Sequence, residues 1–343
     1  MKTILRAANA EGIRAAAALL REGEVVGMPT ETVYGLAANA LNESAVRKIF
    51  QAKGRPADNP LIVHVADQQM MDALVTHVPT AARLLMDAFW PGPLTLILPR
   101  RPVVPDVVTA GLETVGIRMP AKPEALALIR RAGCPLAAPS ANTSGKPSPT
   151  TAEHVLQDMQ GKIPMILDAG PCDVGLESSV VDVSGEVATV LRPGGITPEM
   201  IASVLGRVEV DGHVLSPLEE GATVRSPGMK YQHYAPNARI IIYRGAPDAV
   251  RAQLARSYDA ALAQGEKPAI LGFSGQDYGA RRMISLGDVA HPEQAAARLF
   301  AALRQMDEEG ITVGYSSTVS TQGIGLAIMN RLGRAAGFCI KDV

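Results

Sequence analysis

Cysteine is scarce. Three residues in a chain of 343, Cys134, Cys172 and Cys339, lie far apart in sequence. No C-x-x-C pair exists, so the usual zinc and dithiol motifs are excluded, and so sparse and odd a set fits a reducing compartment. Aromatic residues make up only 4%, which leaves Ala, Val, Leu, Ile and Met to build the cores. An excess of one charge sign is also missing: 33 Lys and Arg face 34 Asp and Glu, for a net charge of −1 and a pI of about 6.6. A non-specific nucleic-acid binder would carry a basic stripe, so strong direct nucleic-acid binding is not expected. No apolar run approaches the roughly eighteen residues that span a bilayer. The opening MKTILRAANAEGIR is broken by Arg6 and Glu11 too early for a secretory apolar region. A cytoplasmic protein without a membrane segment is the expectation.

Several catalytic signatures are absent too. There is no G-x-x-x-x-G-K-[ST] loop, no G-x-G-x-x-G fingerprint and no G-x-S-x-G elbow. Ser178-Ser179 has no histidine partner visible in sequence, so serine hydrolysis is unsupported.

What is present suffices for two domains. Hydrophobic residues are 47% and charged residues 20%, and a chain this long buries a core without disulfide or metal staples. Strand-like runs alternate with helical patterns. Glu11 to Glu22 reads as a helix stopped at Gly23, then EVVGMP as a strand. Asn42 caps a helix running to Gly54, LIVHV (61–65) is a buried strand, and Asp67 to Val75 is helical. LTLIL, TVGIRM and PLAA follow as strands around a helix from Pro123 to Ala132, and Thr150-x-x-Glu153 forms a capping box. MILD, SSVVDV and ATVLR are further strands, and Thr197-Pro198 starts another helix.

The stretch 208–237 has weak periodicity and reads as a linker. Beyond it the alternation resumes, with strands at ARIIIYR, PAILGF and ITVGYSS and helices to Ala263, over His291–Glu309 and near 325–336. Such alternation predicts an α/β fold in each half: a domain over 1–207, the linker 208–237, and a smaller domain over 238–343.

Four loop segments carry polar residues beside Pro and Gly: PTETVYGL (29–36), KGRPADNPLIVH (53–64), PSANTSGKPSP (139–149) and LESSVV…LRPGG (176–195). Loops at strand ends are where α/β folds hold ligands. Lys53 and Arg55 follow a helix end, where a cation either complements the dipole or serves a site. His64 lies in an apolar strand, as a core residue or a ligand contact. Arg118, inside VGIRMP, needs an anionic partner, either an acid of the protein or a substrate carboxylate gripped by its fork. Arg192 in LRPGG poses the same question. The hydroxyl-rich PSANTSGKPSP loop is either a surface turn or a phosphate cradle.

Taken in order, PTETVYGL, KGRP…NPL.VH, GIRMP, PSAN.SG and ESSVVD…LRPG resemble the YrdC-like domain of the threonylcarbamoyl-AMP synthases, and SPGMKYQHYAP followed by a second α/β domain resembles the long form of that family. The resemblance implies a twisted mixed sheet around a concave cavity, then a smaller Rossmann-like domain. It implies synthesis of threonylcarbamoyl-AMP from L-threonine, bicarbonate and ATP, with pyrophosphate released and the product used by a tRNA threonylcarbamoyl transferase complex. It further implies that Lys53, Arg55, Ser140 and Asn142 form a catalytic polar set. Arg55, Asn59, Thr114, Ser140, Ser148, Arg192 and Tyr234 would hold ATP, and Thr32, His64, Arg118, Ala138 and Ser178 would hold threonine. No dedicated metal site is implied; Mg²⁺ would ride mainly on the ATP phosphates. Tyr234, with Tyr231 and His233, would close over the nucleotide. A YrdC-like domain also occurs in hydrogenase maturation proteins, but these carry zinc-finger-like parts that the missing C-x-x-C pairs speak against. An RNA-binding module without catalysis is disfavoured by the neutral charge.

Overall fold

The computed structural model describes residues 2–216 and 234–343, in two compact units. The first runs to Val214 without Gly145–Pro147; the second holds Gly145–Pro147, 215–216 and everything from Tyr234. Of the expected linker, 217–233, including Tyr231 and His233, lies outside the described residues.

The first unit's strands are β1 (Ile4–Ala7), β2 (Val26–Met28), β3 (Gly35–Asn39), β4 (Ile62–His64), β5 (Leu94–Pro99), β6 (Thr114–Arg118), β7 (Leu136–Ala137), β8 (Met165–Asp168), β9 (Ser179–Asp182), β10 (Thr189–Arg192) and β11 (Glu209–Val210). Among the described residues they form one mixed sheet in the order β1-β8-β2-β3-β7-β4-β6-β5-β9-β10-β11. The mixed α/β reading therefore holds. Helix Glu43–Lys53 illustrates why the local elements form where they do. Asn42 accepts from the Ala45 N–H at its start, Ala45, Val46, Ile49 and Phe50 are buried along one face, and Gly54 ends it at φ 61°. A side chain at Gly54 would be strained in that left-handed turn, which hands the chain to Arg55.

Several elements differ from the sequence reading. Gly35–Asn39, which begins within the loop segment 29–36, is a strand paired antiparallel to β2, and Ile4–Ala7 is an edge strand parallel to β8. Both are too short and Ala-rich for periodicity to mark them. Thr80–Phe89 is an unanticipated helix. The helix expected over Asp67 to Val75 covers only Gln68–Asp72. The capping residue before helix Ala152–Met159 is Thr151, whose hydroxyl accepts from the His154 N–H, and not Thr150.

Strand register positions the candidate residues. His64 lies beside Arg118 on the parallel pair β4 and β6. Thr95 lies beside Arg118 on the antiparallel pair β5 and β6, Leu94 beside Ser179 on β5 and β9, and Val180 beside Arg192 on β9 and β10. His64, Arg118 and Arg192 are each the last residue of their strand. These side chains are thus delivered to one edge of the sheet, where strand carboxyl ends put ligands in open α/β folds.

The second unit contains β12 (Arg239–Arg244), β13 (Pro268–Ser274), β14 (Met283–Asp288), β15 (Val313–Ser317) and β16 (Ile340–Asp342). All their pairings are parallel, in the order β14-β13-β15-β12-β16. Helices Pro247–Ala263, Pro292–Glu308 and Ile324–Ala335 cover this sheet. The strands β14 and β16 were not foreseen from sequence.

Candidate active site

Arg118 is 3% exposed at the end of β6. Its Nη2 stands 2.6 Å from Glu31 Oε1, its Nη1 donates to Thr32 Oγ1 at 2.8 Å, and its Nε donates to the Gly92 carbonyl at 3.2 Å. Thr32 is itself fixed by Thr30, whose hydroxyl lies 2.8 Å from that of Thr32 and donates to the Val33 carbonyl at 2.6 Å. Of the two partners that the sequence left open for Arg118, the protein's own acid is therefore present. Glu31 is buried, which by itself raises a carboxyl pKa, but the charge and hydrogen bonding of Arg118 and backbone donors including Ala121 overcome that and leave it below the ordinary value. The pair is ionised, with further N–H groups of the guanidinium still available to a ligand.

His64 sits beside this pair, 3% exposed. Burial, then the neighbouring charge of Arg118, pull its pKa down to about 3. The imidazole is neutral at physiological pH, so it can hydrogen-bond a polar ligand but adds no positive field. Its Nδ1 is buried with no hydrogen-bond partner among the described residues, as is each amide atom of Asn59, a residue that is 0% exposed. Buried polar atoms without partners are uncommon and fit a site that expects a ligand.

Ser178 links several strands at this edge. Its hydroxyl lies 2.8 Å from Thr95 Oγ1. Arg192 donates through Nε to the Ser178 carbonyl at 3.0 Å and through Nη2 to its hydroxyl at 3.1 Å. The turn after Arg192 presses so closely on this segment that a Cβ on Gly194 would come within 2.4 Å of the Ser179 nitrogen. Only glycine fits there. Ser148 donates to Glu177 Oε1 at 2.5 Å.

Lys53, the last residue of its helix, is 2% exposed. Its ammonium donates to the Ser140 carbonyl, to the Asn142 carbonyl at 2.7 Å and to Asn142 Oδ1 at 3.4 Å. Lys53, Ser140 and Asn142 are therefore brought together, with the lysine gripping the loop that carries the other two. The same loop is tied to the PTETVYGL segment, through Leu36 N–H to the Pro139 carbonyl at 2.7 Å and Ala141 N–H to the Tyr34 carbonyl at 2.8 Å. Ala138, also buried, donates its N–H to the Ile62 carbonyl on β4 at 3.0 Å. The Arg55 guanidinium is 5.9 Å from the Phe50 ring centroid and donates to the Asn59 carbonyl at 3.2 Å.

Two further candidates have surroundings of their own. Thr114 begins β6, four steps of roughly 3.3 Å from Arg118, and lines a small hollow with Pro60 and Leu61. Tyr234 belongs to the second unit, where its ring packs 5.1 Å from that of Phe300 and under the guanidinium of Arg331 at 5.7 Å. Sequence reasoning missed Glu31, Thr95 and Glu177. Glu31 and Glu177 lay in segments already marked, but no sequence signal said which side chain each would meet.

Comparison with known proteins agrees with this architecture. Residues 18–194 match the family model described as Telomere recombination, which groups Sua5, YciO and YrdC. Residues 196–337 match the model of the threonylcarbamoyl-AMP synthase C-terminal domain. The chain is 48% identical over 331 residues to threonylcarbamoyl-AMP synthase of Pyrococcus abyssi, covering 96% of each chain. It is 49% identical over 336 residues to that of Bacillus subtilis, covering 96% of this chain and 94% of the relative. The crystal structure of P. abyssi Sua5 complexed with L-threonine superimposes with a TM-score of 0.93 at 46% identity, covering 100% of this chain and 99% of the other. The chain belongs to the threonylcarbamoyl-AMP synthase family.

Proposed function

We propose that the chain makes threonylcarbamoyl-AMP from L-threonine, bicarbonate and ATP, releasing pyrophosphate, and that the product serves threonylcarbamoyladenosine formation in tRNA through a transferase complex. The observation that carries this reading is the convergence of Arg118, His64, Ser178 and Arg192 at one buried sheet edge. The relative crystallised with L-threonine supports it.

In this reading the threonine carboxylate takes the guanidinium N–H groups of Arg118 that Glu31 and Thr32 leave open, with the Ser178 hydroxyl beside it. Glu31 keeps the net charge of the Arg118 pair near zero until substrate arrives, so the fork binds by geometry more than by raw field. His64, neutral, holds a polar group of threonine without repelling the amine. The amine, in its unprotonated form, attacks bicarbonate to give a carbamate with loss of water. A carbamate oxygen then attacks the α-phosphorus of ATP, and the bond to the β-phosphate oxygen breaks to release pyrophosphate. Arg55, Asn59, Ser140, Ser148 and Arg192 hold the nucleotide, Thr114 and Tyr234 belong to the same set, and Lys53 fixes the loop that presents Ser140 and Asn142.

The Mg²⁺ enters on the triphosphate as part of the substrate. Among the described residues no group of three or more His, Cys, Asp and Glu could hold a metal ion. No covalent nucleophile is required, and positioning can contribute roughly 7–11 kcal/mol to such a step. No helix among the described residues is long and apolar enough to cross a membrane, which suits an enzyme working on cytoplasmic metabolites.

Incubation of the pure protein with ATP, bicarbonate and either threonine or serine tests the proposal, with pyrophosphate and the adenylate product measured by chromatography. Threonine-dependent pyrophosphate with a matching carbamoyl-adenylate is the expected result. ATP turnover indifferent to threonine would sink it.

A further inference from the structure

The Ser148 hydroxyl reaches Glu177 Oε1 at 2.5 Å, and both residues are buried. A carboxylate oxygen only accepts, so the serine proton is committed to Glu177. Ser148 Oγ is left with its lone pairs, and no N–H or O–H among the described residues donates to it. What such an oxygen can recognise in a ligand is a donor.

The main chain around the pair is fixed. Tyr34 N–H donates to the Pro149 carbonyl at 2.9 Å, and Cys172 N–H donates to the Thr150 carbonyl at 2.9 Å. On the other side, a Cβ on Gly194 would come within 2.5 Å of the Glu177 carbonyl oxygen, so the turn after Arg192 clamps the segment that carries the carboxylate. With the backbone held, the direction of the Ser148 hydroxyl is set by Glu177.

The pair adjoins the site described above. Glu177 immediately precedes Ser178, whose carbonyl and hydroxyl accept from Arg192. One short segment therefore has the Arg192 cation against Ser178 and the Glu177 carboxylate against Ser148. Ionised phosphate oxygens carry no proton to give and are repelled by a carboxylate. The nucleoside half of ATP, by contrast, carries donors: the ribose hydroxyls and the adenine amino group.

We infer that Ser148 recognises the nucleoside half of ATP as a hydrogen-bond acceptor, taking a ribose hydroxyl or the adenine amino group, and that Glu177 is the positioning residue that fixes this polarity. The inference rests on the ATP-dependent reaction proposed above and adds a direction to it, with the triphosphate leading away from Glu177. It makes Ser148 a determinant of nucleotide choice and not a phosphate ligand.

Calorimetric titration of the full-length protein with Mg-ATP, 2′-deoxy-ATP, 3′-deoxy-ATP and inosine triphosphate tests it. Each analogue lacks one donor, and inosine presents an oxygen where adenine presents its amino group. One of the three should bind roughly tenfold or more weakly than ATP, which identifies the donor. Ser148→Ala should bring that ratio to within about threefold of unity, because the partner of the missing group is gone. Glu177→Met should lower the same ratio at least threefold, a change in discrimination that a general folding defect does not produce. Ratios near unity for all three analogues in the parent, or ratios unchanged in Ser148→Ala, would overturn the inference. So would Ser148→Ala weakening inorganic pyrophosphate as much as ATP, and a folded Glu177→Met with the parent's ratio would remove the role of Glu177. Nucleotide binding without threonine-dependent pyrophosphate release would count against the reaction alone, so the two readings fail separately.

Discussion

Arg118 Nη2 and Glu31 Oε1 face each other at 2.6 Å with only 4% and 8% of their side chains exposed. A buried pair of this kind adds little net stability over an apolar substitute, but removing one partner leaves the other's charge stranded. The pair sets both the charge and the orientation of the fork assigned to the threonine carboxylate.

Glu31→Gln is expected to cost on the order of 3–5 kcal/mol, since it strands the Arg118 charge. The double change Glu31→Gln with Arg118→Met should recover much of that loss. Urea unfolding of the single and double variants measures both. A single variant as stable as the parent would mean that the pair is not formed in solution.

Arg118→Lys keeps the charge and loses the planar fork. Threonine KM should rise roughly tenfold or more, while ATP KM stays within about threefold. Steady-state pyrophosphate release with each substrate varied decides it, and equal losses for both substrates would remove Arg118 from the threonine side.

Thr32→Val bears on what that hydroxyl does. If Thr32 read the substrate hydroxyl, the variant would relax selection between threonine and serine. Because its oxygen already accepts from Arg118 and meets Thr30, the expected result is a rise in threonine KM of about threefold to tenfold, with the threonine-to-serine preference nearly unchanged. A collapse of that preference would restore the direct role.

His64 sets a pH dependence with a definite sign. Its folded pKa is pulled to about 3 from the ordinary histidine value of 6.5, so between those values the unfolded chain binds the extra proton. Stability is at its full value above about pH 6.5 and falls as pH drops towards 3, by up to about 1.4 kcal/mol per pH unit from this group. His64→Gln should flatten that slope in urea melts at pH 7, 6 and 5. Identical slopes in both proteins would show that the imidazole is not held neutral. Glu31, with its pKa lowered, acts in the same direction at lower pH: its contribution is present above the ordinary carboxyl value and is lost as pH falls through the folded one.

Lys53→Met leaves the carbonyls of Ser140 and Asn142 without their ammonium donor. The expected cost is roughly 1–3 kcal/mol of stability, with turnover depressed at least tenfold because Ser140 and Asn142 lose their anchor. Partial recovery by Lys53→Arg would separate loop positioning from a simple folding defect, and turnover equal to the parent in Lys53→Met would exclude the role.

The sequence by itself determined the α/β class and marked the segments in which the proposed site residues lie. Capping and periodicity are local properties, so Asn42, Gly54 and the helix between them were readable from the residues alone. So was the grouping of Lys53, Ser140 and Asn142, though only through the family resemblance. Short strands such as Gly35–Asn39 were hidden because pairing with β2 and β7, and not their own pattern, makes them strands. Which anion faces Arg118, whether His64 is charged, and what Lys53 holds were decided by the tertiary structure alone. Each depends on contacts between residues tens of positions apart, and on a burial that sets the strength of charge. Local spacing encodes neither.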